Sequence, residues 1–331
     1  MSKENDVKFD RREFISRVSK AGISVAAAGT AAYLLYDGKG PGPSTGDKKL
    51  VTLPDFSVPR RDGQTISIVT GPDRVKTVNK AIELLGGIER FVRPGETVAI
   101  KPNIAFASPP MLGATANPEL VAEVVRLCYR GGAKKVYVTD NPINDPASCF
   151  TLSGIGKAAS EAGAEIIMPK DGLFKNTTLA GGRLIKNWPI FCGPFETVQR
   201  LIGISPVKDH HRAGASMAMK NWYGLLGGRR NIFHQDINTI IAELAILVRP
   251  TLVILDGTSV MMTNGPTGGS VSDLKQANTL IASCDMVAAD SYGCGLLGRQ
   301  VLDLPYLAKA EKAGAGTTNY ETLKPKIATV S

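Results

Sequence analysis

Paired cysteines, clustered basic residues, aromatics and histidines are all scarce in this chain, and each scarcity narrows what it can do. Its five cysteines, Cys128, Cys149, Cys192, Cys284 and Cys294, form no C-x-x-C pair and are odd in number, so neither a zinc knuckle nor a ferredoxin-type iron–sulfur cluster is signalled. Cys128 falls on the apolar stripe of Val121, Val124 and Val125 and reads as a core residue. A Cys284–Cys294 or a Cys149–Cys192 disulfide is compatible with an oxidising compartment, and the sequence chooses neither. No five basic residues run together and aromatics make up 6% of the chain, so the interleaved basic and aromatic patches of nucleic-acid binders are missing. The formal charge of +9 is read as a solvated basic surface that favours acidic small molecules, with no nucleic-acid partner.

What is present begins at the N-terminus. Arg11-Arg12 stand ahead of Phe14, Arg17 and Lys20, and an uncharged run then extends from Ala21 to Tyr36. A charged segment followed by an apolar one is the layout of an export signal. As a helix those 16 residues span about 24 Å, short of the ~30 Å hydrocarbon core of a bilayer. The arginine pair, the nearby phenylalanine and a run rich in Ala, Gly, Ser and Thr resemble a twin-arginine signal, which implies the twin-arginine export machinery as a partner and a periplasmic or other extracytoplasmic location. Asp10 stands where Ser or Thr is usual, and Ile15-Ser16 replace Leu-Lys. Ala26-Ala27-Ala28 offers a small-x-small cleavage site, whereas continuation of the run to Leu34, Leu35 and Tyr36 suits retention as a membrane anchor. An amphipathic helix is the plain alternative, weakened by the length of chain without a charge.

Residues 37–49, "DGKGPGPSTGDKK", read as a linker. The expected organisation is a signal or anchor over 1–36, a linker and lead-in over 37–70, and an α/β domain over 71–331, divisible into lobes 71–193 and 194–331. Residues 97–104, 116–133 and 134–142 give strand, amphipathic helix, strand, with Asn117 as N-cap, Pro118 at the first helical position and Gly131-Gly132 as the stop. Residues 154–169 repeat the helix, glycine, strand order. Strands are expected over 201–207, 251–257 and 279–283, and helices over 236–250, 286–297 and 304–313. The sum is a mostly parallel, doubly wound α/β sheet with right-handed crossovers, preceded by the N-terminal signal or anchor helix.

Ligands of such sheets bind beyond the carboxyl ends of the strands. Lys101-Pro102-Asn103, Thr139-Asp140-Asn141 and Asp256-Gly257-Thr258 are polar clusters placed there. Turn chemistry accounts for Asn141-Pro142. It does not account for Lys101, because a lysine finishing a buried apolar run carries its charge into the crevice. Two loops add Asp209 to Arg212 and the stretch "MKNWYGLLGGRRNIFHQD", which together hold the three histidines, His210, His211 and His234, with Lys220, Asn221, Arg229, Arg230 and Asp236. Solvated-loop and helix-capping roles are the plain alternative for each histidine; their confinement to residues 210–234 points to a site. Gly227-Gly228 and the loop from Asn264 to Gly269 can present backbone amides to an anion, although neither matches a Walker or dinucleotide fingerprint.

Three functions fit. In the first, an enzyme anchors a small anionic substrate on Lys101, Asn103, Asp140, Asn221, Arg229, Asp256 and Asn264, while His234, His211 and Lys220 do proton chemistry. In the second, His210, His211, His234 and Asp236 hold a divalent metal such as zinc, iron or nickel, or serve a redox cofactor. The third is a non-catalytic solute-binding or assembly factor.

The stretches "VAIKPNI…ATANPELVAEVVRLCYRGGAKKVYVTDNP", "DHHRAGASMAMKNWYGLLGGRRNIFH", "LVILDGTSVMMTNGPTGG" and "CDMVAADSYG" resemble the family catalogued as domain of unknown function 362, over roughly Val98 to Leu297. The resemblance carries that family's motifs onto Lys101 to Asn103, Asp140, His210 or His211, Lys220, Asn221, Arg229, His234, Asp256, Gly265, Pro266 and Asp290. It implies no particular reaction. Many members carry an added cysteine-rich ferredoxin-like segment that this sequence lacks.

Overall fold

Helix starts in this chain are written in single acidic or amide side chains. Asp73 accepts the backbone amides of Val75 and Lys76, Asn117 those of Glu119 and Leu120, and Asp285 those of Val287 and Ala288; each such cap is worth about 1 kcal/mol. After the Asn117 helix the chain needs a glycine one residue beyond Gly131. Gly132 has φ 90°, and a Cβ there would sit 2.9 Å from Pro94 Cα, so any other residue would meet both backbone strain and a clash.

The computed structural model describes residues 10–34 and 52–331, and the chain divides into two units, Met1–Lys49 and Leu50–Ser331. In the first, α1 (Arg11–Leu34) is a 24-residue helix. No helix among the described residues is long and apolar enough to cross a membrane. Leu35, Tyr36 and the whole of the expected linker, residues 37–49, lie outside the described residues.

The second unit opens with β1 (Ile66–Thr70) and α2 (Arg74–Leu84), then β2 (Thr97–Pro102), α3 (Pro118–Arg130) and β3 (Lys135–Thr139). It continues through α4 (Pro146–Leu152), α5 (Ile155–Glu161) and β4 (Glu165–Ile167) to a small hairpin, β5 (Phe174–Thr177) with β6 (Trp188–Phe191). Next come β7 (Arg200–His210), β8 (Gly214–Ser216), the single-turn α6 (Ala218–Asn221) and α7 (Ile237–Leu247). The last elements are β9 (Leu252–Met261), β10 (Leu274–Ser283), α8 (Met286–Leu296), α9 (Pro305–Lys312) and β11 (Lys326–Thr329).

The central sheet runs β11-β1-β10-β9-β7-β2-β3-β4, with β8 added to β7. From β9 to β4 every neighbouring pair is parallel. Alternate side chains of each inner strand face opposite layers. Val98, Ile100, Ile202, Ile204, Leu252 and Ile254 pack against α2, α3, α4 and α5; Ala99, Leu201, Val253 and Leu255 pack against α6, α7, α8 and α9. Strands buried on both faces must be apolar at nearly every position, and the stretch of β7 from Leu201 to Val207 is, Ser205 excepted, whereas its carboxyl end turns polar at Lys208, Asp209 and His210.

Several expectations change. The sheet is mostly parallel, but β10 is antiparallel to both β9 and β1; residues 262–273, which join β9 to β10, hold no α-helix to serve as the usual parallel crossover. β1 lies before residue 71, and Phe56 and Val58 ahead of it are buried, so the core begins within the segment expected as lead-in. The sheet passes unbroken across the 193/194 lobe division, since β7 is flanked by β2 and β9. All five cysteines are free thiols, so neither candidate disulfide is formed.

Candidate functional site

Two parallel neighbours, β2 and β7, send the chain in opposite directions: β2 continues through α3 to β3, and β7 through α7 to β9. A crevice opens beyond the carboxyl ends of strands where connections diverge in this way. Here it is a cavity of about 800 Å³, lined by Lys101, Asn103, Asp140, Lys208, the three histidines, Lys220, Asn221, Tyr223, Arg230 and the Asn264–Ser270 loop, among others.

Its floor is a buried polar network. Lys101 Nζ lies 2.7 Å from Asp140 Oδ1 and donates to Asn221 Oδ1 at 3.1 Å. The Asn221 amide donates in turn to the carbonyls of Lys101 and Ile204, which fixes its orientation. Asn103 donates to the same Asn221 oxygen and accepts from Lys208 Nζ at 3.3 Å. The remaining oxygen of Asp140 accepts the backbone amide of Ile104 at 2.7 Å. Burial pulls the Lys101 amine below its ordinary range and Asp140 opposes the shift.

Above the floor, positive charge exceeds negative. Lys208 Nζ donates to the Ala114 carbonyl at 2.6 Å and lies 5.2 Å from the centre of the Phe106 ring; burial, then the charge of Lys220, pushes its amine down to about 7. Lys220 Nζ lies 5.1 Å from the centre of the Tyr223 ring, and burial, then Arg230, brings it to about 8. Among the described residues neither amine has a carboxylate within ion-pair distance, whereas Lys101 does. Arg230 spends its guanidinium on carbonyls, those of Asn141 at 3.0 Å and Pro142 at 2.6 Å among them. It clamps the loop after β3 while adding its charge to the wall.

The histidines stand nearly parallel. His210 is 5.0 Å from His211 and 6.2 Å from His234 between ring centres, at 13° and 14°. His210 Nδ1 accepts the backbone amides of Arg212 and Ala213, both at 3.2 Å, so the neutral ring carries its proton on Nε2. Burial, followed by the field of Lys220, holds its pKa at about 2; this imidazole stays neutral and is a fixed donor. His234 has the other tautomer. Tyr223 OH donates to the Arg230 carbonyl at 2.6 Å, so its oxygen accepts from His234 Nδ1 at 3.1 Å, which leaves Nε2 of His234 with a lone pair. Burial and Lys220 lower the His234 pKa as well.

Of the residues singled out in the sequence, Lys101, Asn103, Asp140, His210, His211, Lys220, Asn221, His234 and Asn264 line this cavity. Arg229 does not; it is exposed, and its neighbour Arg230 takes the inward position. Asp256 belongs to a separate recess of about 310 Å³ and pairs with Arg74 at 2.7 Å, because it shares strand parity with Leu252 and Ile254, which face α2 and α3. Asp236 caps α7 through Thr239 and pairs with Arg183. His210, His211, His234 and Asp236 therefore do not form a metal ligand set: the rings stack instead of converging, His210 Nδ1 is engaged, and among the described residues no three His, Cys, Asp or Glu groups are placed to hold a metal. The glycine loops are also spent internally. Asp273 accepts the amides of Gly269 and Ser270 together with Asn264 Nδ2, and Gly227 donates to the Pro189 carbonyl. Lys208 and Tyr223 are among the lining residues that sequence reasoning passed over, and Arg230, noted in its stretch, was given no role there. Lys208 carries the signal that marked Lys101, a lysine near the end of a buried apolar run.

The profile described as "Domain of unknown function (DUF362)" matches residues 98–295. The Thylakoid-associated protein sll1697 of Synechocystis sp. is 26% identical over 257 residues, covering 74% of this chain and 76% of that protein. A crystal structure of a Thermotoga maritima protein superposes with a TM-score of 0.40 at 10% identity, over 70% of this chain and 60% of that one.

Proposed function

The chain belongs to the DUF362 family, and we infer that its β2/β7 crevice is the active site of an enzyme that binds a small anionic substrate and moves a proton on it. The observation that carries this reading is the pair Lys208 and Lys220: two amines directed into one cavity without a carboxylate partner, next to imidazoles of opposite tautomer. Burying unpaired cations is costly, and a site that does so is arranged for an anion that supplies the missing charge. His210 Nε2–H is a neutral donor for a developing negative charge, since its conjugate acid forms only near pH 2. His234, with Nδ1–H held by Tyr223, offers Nε2 as the base. Tyr223 and the Asn231 carbonyl, 3.3 Å from Nδ1, together keep this tautomer.

Thermal unfolding and calorimetry of the full chain with inorganic phosphate, sulfate, pyruvate and succinate test the anion site. Stabilisation by at least one of them, lost in Lys208→Met and in Lys220→Met, supports it; no response to any refutes it. Retention of a bound acid in native mass spectra without conversion would mark a binder instead.

Export through the twin-arginine route is part of the same proposal. Arg11-Arg12 ahead of an uncharged run and a thylakoid-associated relative support it. Replacing both arginines by lysine is expected to hold the protein in the cytoplasm on fractionation; unchanged distribution refutes the signal.

A further inference from the structure

We propose that Lys220 is a nucleophilic amine that forms a reversible imine with an anionic carbonyl compound, a 2-oxo or 3-oxo carboxylate, bound in the β2/β7 crevice. This deepens the anion-site reading and rests on it.

Three lysines reach the cavity, and their amines differ in what they already hold. Lys101 is fixed by Asp140 and Asn221. Lys208 donates to Ala114 and Asn103. Lys220, among the described residues, has neither an ion pair nor a hydrogen bond, only the face of Tyr223. Its backbone is nonetheless held firmly. Asp290, fully buried, accepts the amides of Ala218 and Met219 at 2.8 and 3.0 Å, and the neighbouring Asn221 is bound to β2 and β7. The result is a fixed stem carrying an unengaged amine. Burial and Arg230 bring that amine to about 8, so a substantial neutral fraction exists near neutral pH, as imine-forming lysines require.

The neighbours fit the rest of the molecule. Lys208 and Arg230 face the carboxylate, and the cavity volume with Phe106 and Ile143 on its wall suits an acid carrying a side chain. The step balances without oxidant or reductant. The Nζ lone pair adds to the carbonyl carbon, the C=O π pair moves to oxygen, and one proton passes from nitrogen to that oxygen to give the carbinolamine. The second amine proton then goes to the hydroxyl as the C–O bond breaks, leaving C=N and water. His234 Nε2 relays the protons, and His210 Nε2–H supports the oxygen while it carries charge.

The test incubates the full chain separately with pyruvate, 2-oxoglutarate and phenylpyruvate under sodium cyanoborohydride, then maps reduced adducts by peptide mass spectrometry. Preferential labelling of Lys220 over exposed lysines such as Lys157, competed by inorganic phosphate, is the expected result. Labelling of Lys220 no greater than that of Lys157 overturns the proposal. Thermal shift without reductant, using the same acids and L-lactate, separates the two readings. Binding without a Lys220 adduct removes the imine and leaves the anion site standing; neither binding nor adduct removes both.

Discussion

Lys101 Nζ and Asp140 Oδ1 meet at 2.7 Å with 1% and 3% of their side chains exposed, the most deeply buried ion pair among the described residues. Removing one member leaves the other charge in a low-dielectric floor, which costs about 3–5 kcal/mol. Asp140→Asn is expected to lower stability in urea titration by that order, and Lys101→Met combined with Asp140→Leu to recover much of it. A single-variant loss below about 1 kcal/mol would show that water reaches the pair.

Gly224 guards the same pair from above. A Cβ at this position would lie 2.6 Å from Asp140 Oδ1 and 3.0 Å from Lys101 Nζ. Gly224→Ala is expected to cost about 1–3 kcal/mol and to weaken anion binding through displacement of Asp140. A variant as stable as the parent with unchanged affinity would contradict this placement.

Tyr223→Phe deletes the hydroxyl that donates to Arg230 O and accepts from His234. The stability loss is expected near 1 kcal/mol. Histidine NMR is the more specific readout, because the His234 Nδ1–H then loses one of its two acceptors and keeps only the Asn231 carbonyl, which is expected to shift its resonance without changing the tautomer. Lys220→Met provides a second check on the ring: the field of Lys220 helps depress both His210 and His234, so both are expected to titrate at higher pH in the variant.

Lys208 and Lys220 titrate at about 7 and about 8, which sets opposite pH trends for binding and stability. Sulfate keeps its charge, so its affinity is expected to fall as pH rises through these values and the amines lose theirs. Stability moves the other way. Both amines lie below their unfolded value near 10.4, so between about pH 7 and pH 10 the unfolded chain holds more protons and their contribution to stability rises with pH. The parent is therefore expected to gain stability relative to Lys208→Met as pH rises across that window in denaturant titrations.

The inner strands and their helices were legible because burial on both faces writes continuous apolar runs, and because Asn117-Pro118 and the paired glycines mark the ends of α3. Lys101, Asp140 and the histidines were legible for a related reason: polar groups at the carboxyl ends of such runs have little else to do. Other features depend on facts outside the local sequence. Whether Arg229 or Arg230 turns inward is a matter of one residue of rotation in an irregular turn. The fate of Asp256 follows from strand parity, which needs the exact first residue of β9. The pairings of β1 and β11 join distant parts of the chain, and no period in either short strand announces its neighbours. The anion-receptive look of the Asn264–Gly269 loop was misleading because its counter-anion, Asp273, is supplied a few residues later within the chain itself.

Among the described residues β1 is the first strand, and it lies between two of the last, antiparallel to β10 and parallel to β11; the Cys284 amide donates to the Thr65 carbonyl just ahead of β1 at 2.9 Å. During synthesis this strand must wait with both edges bare until β10 and β11 have left the ribosome. The molecule therefore cannot mature piecemeal from its amino end, and trimming residues 326–329 would unveil an adhesive ribbon along β1.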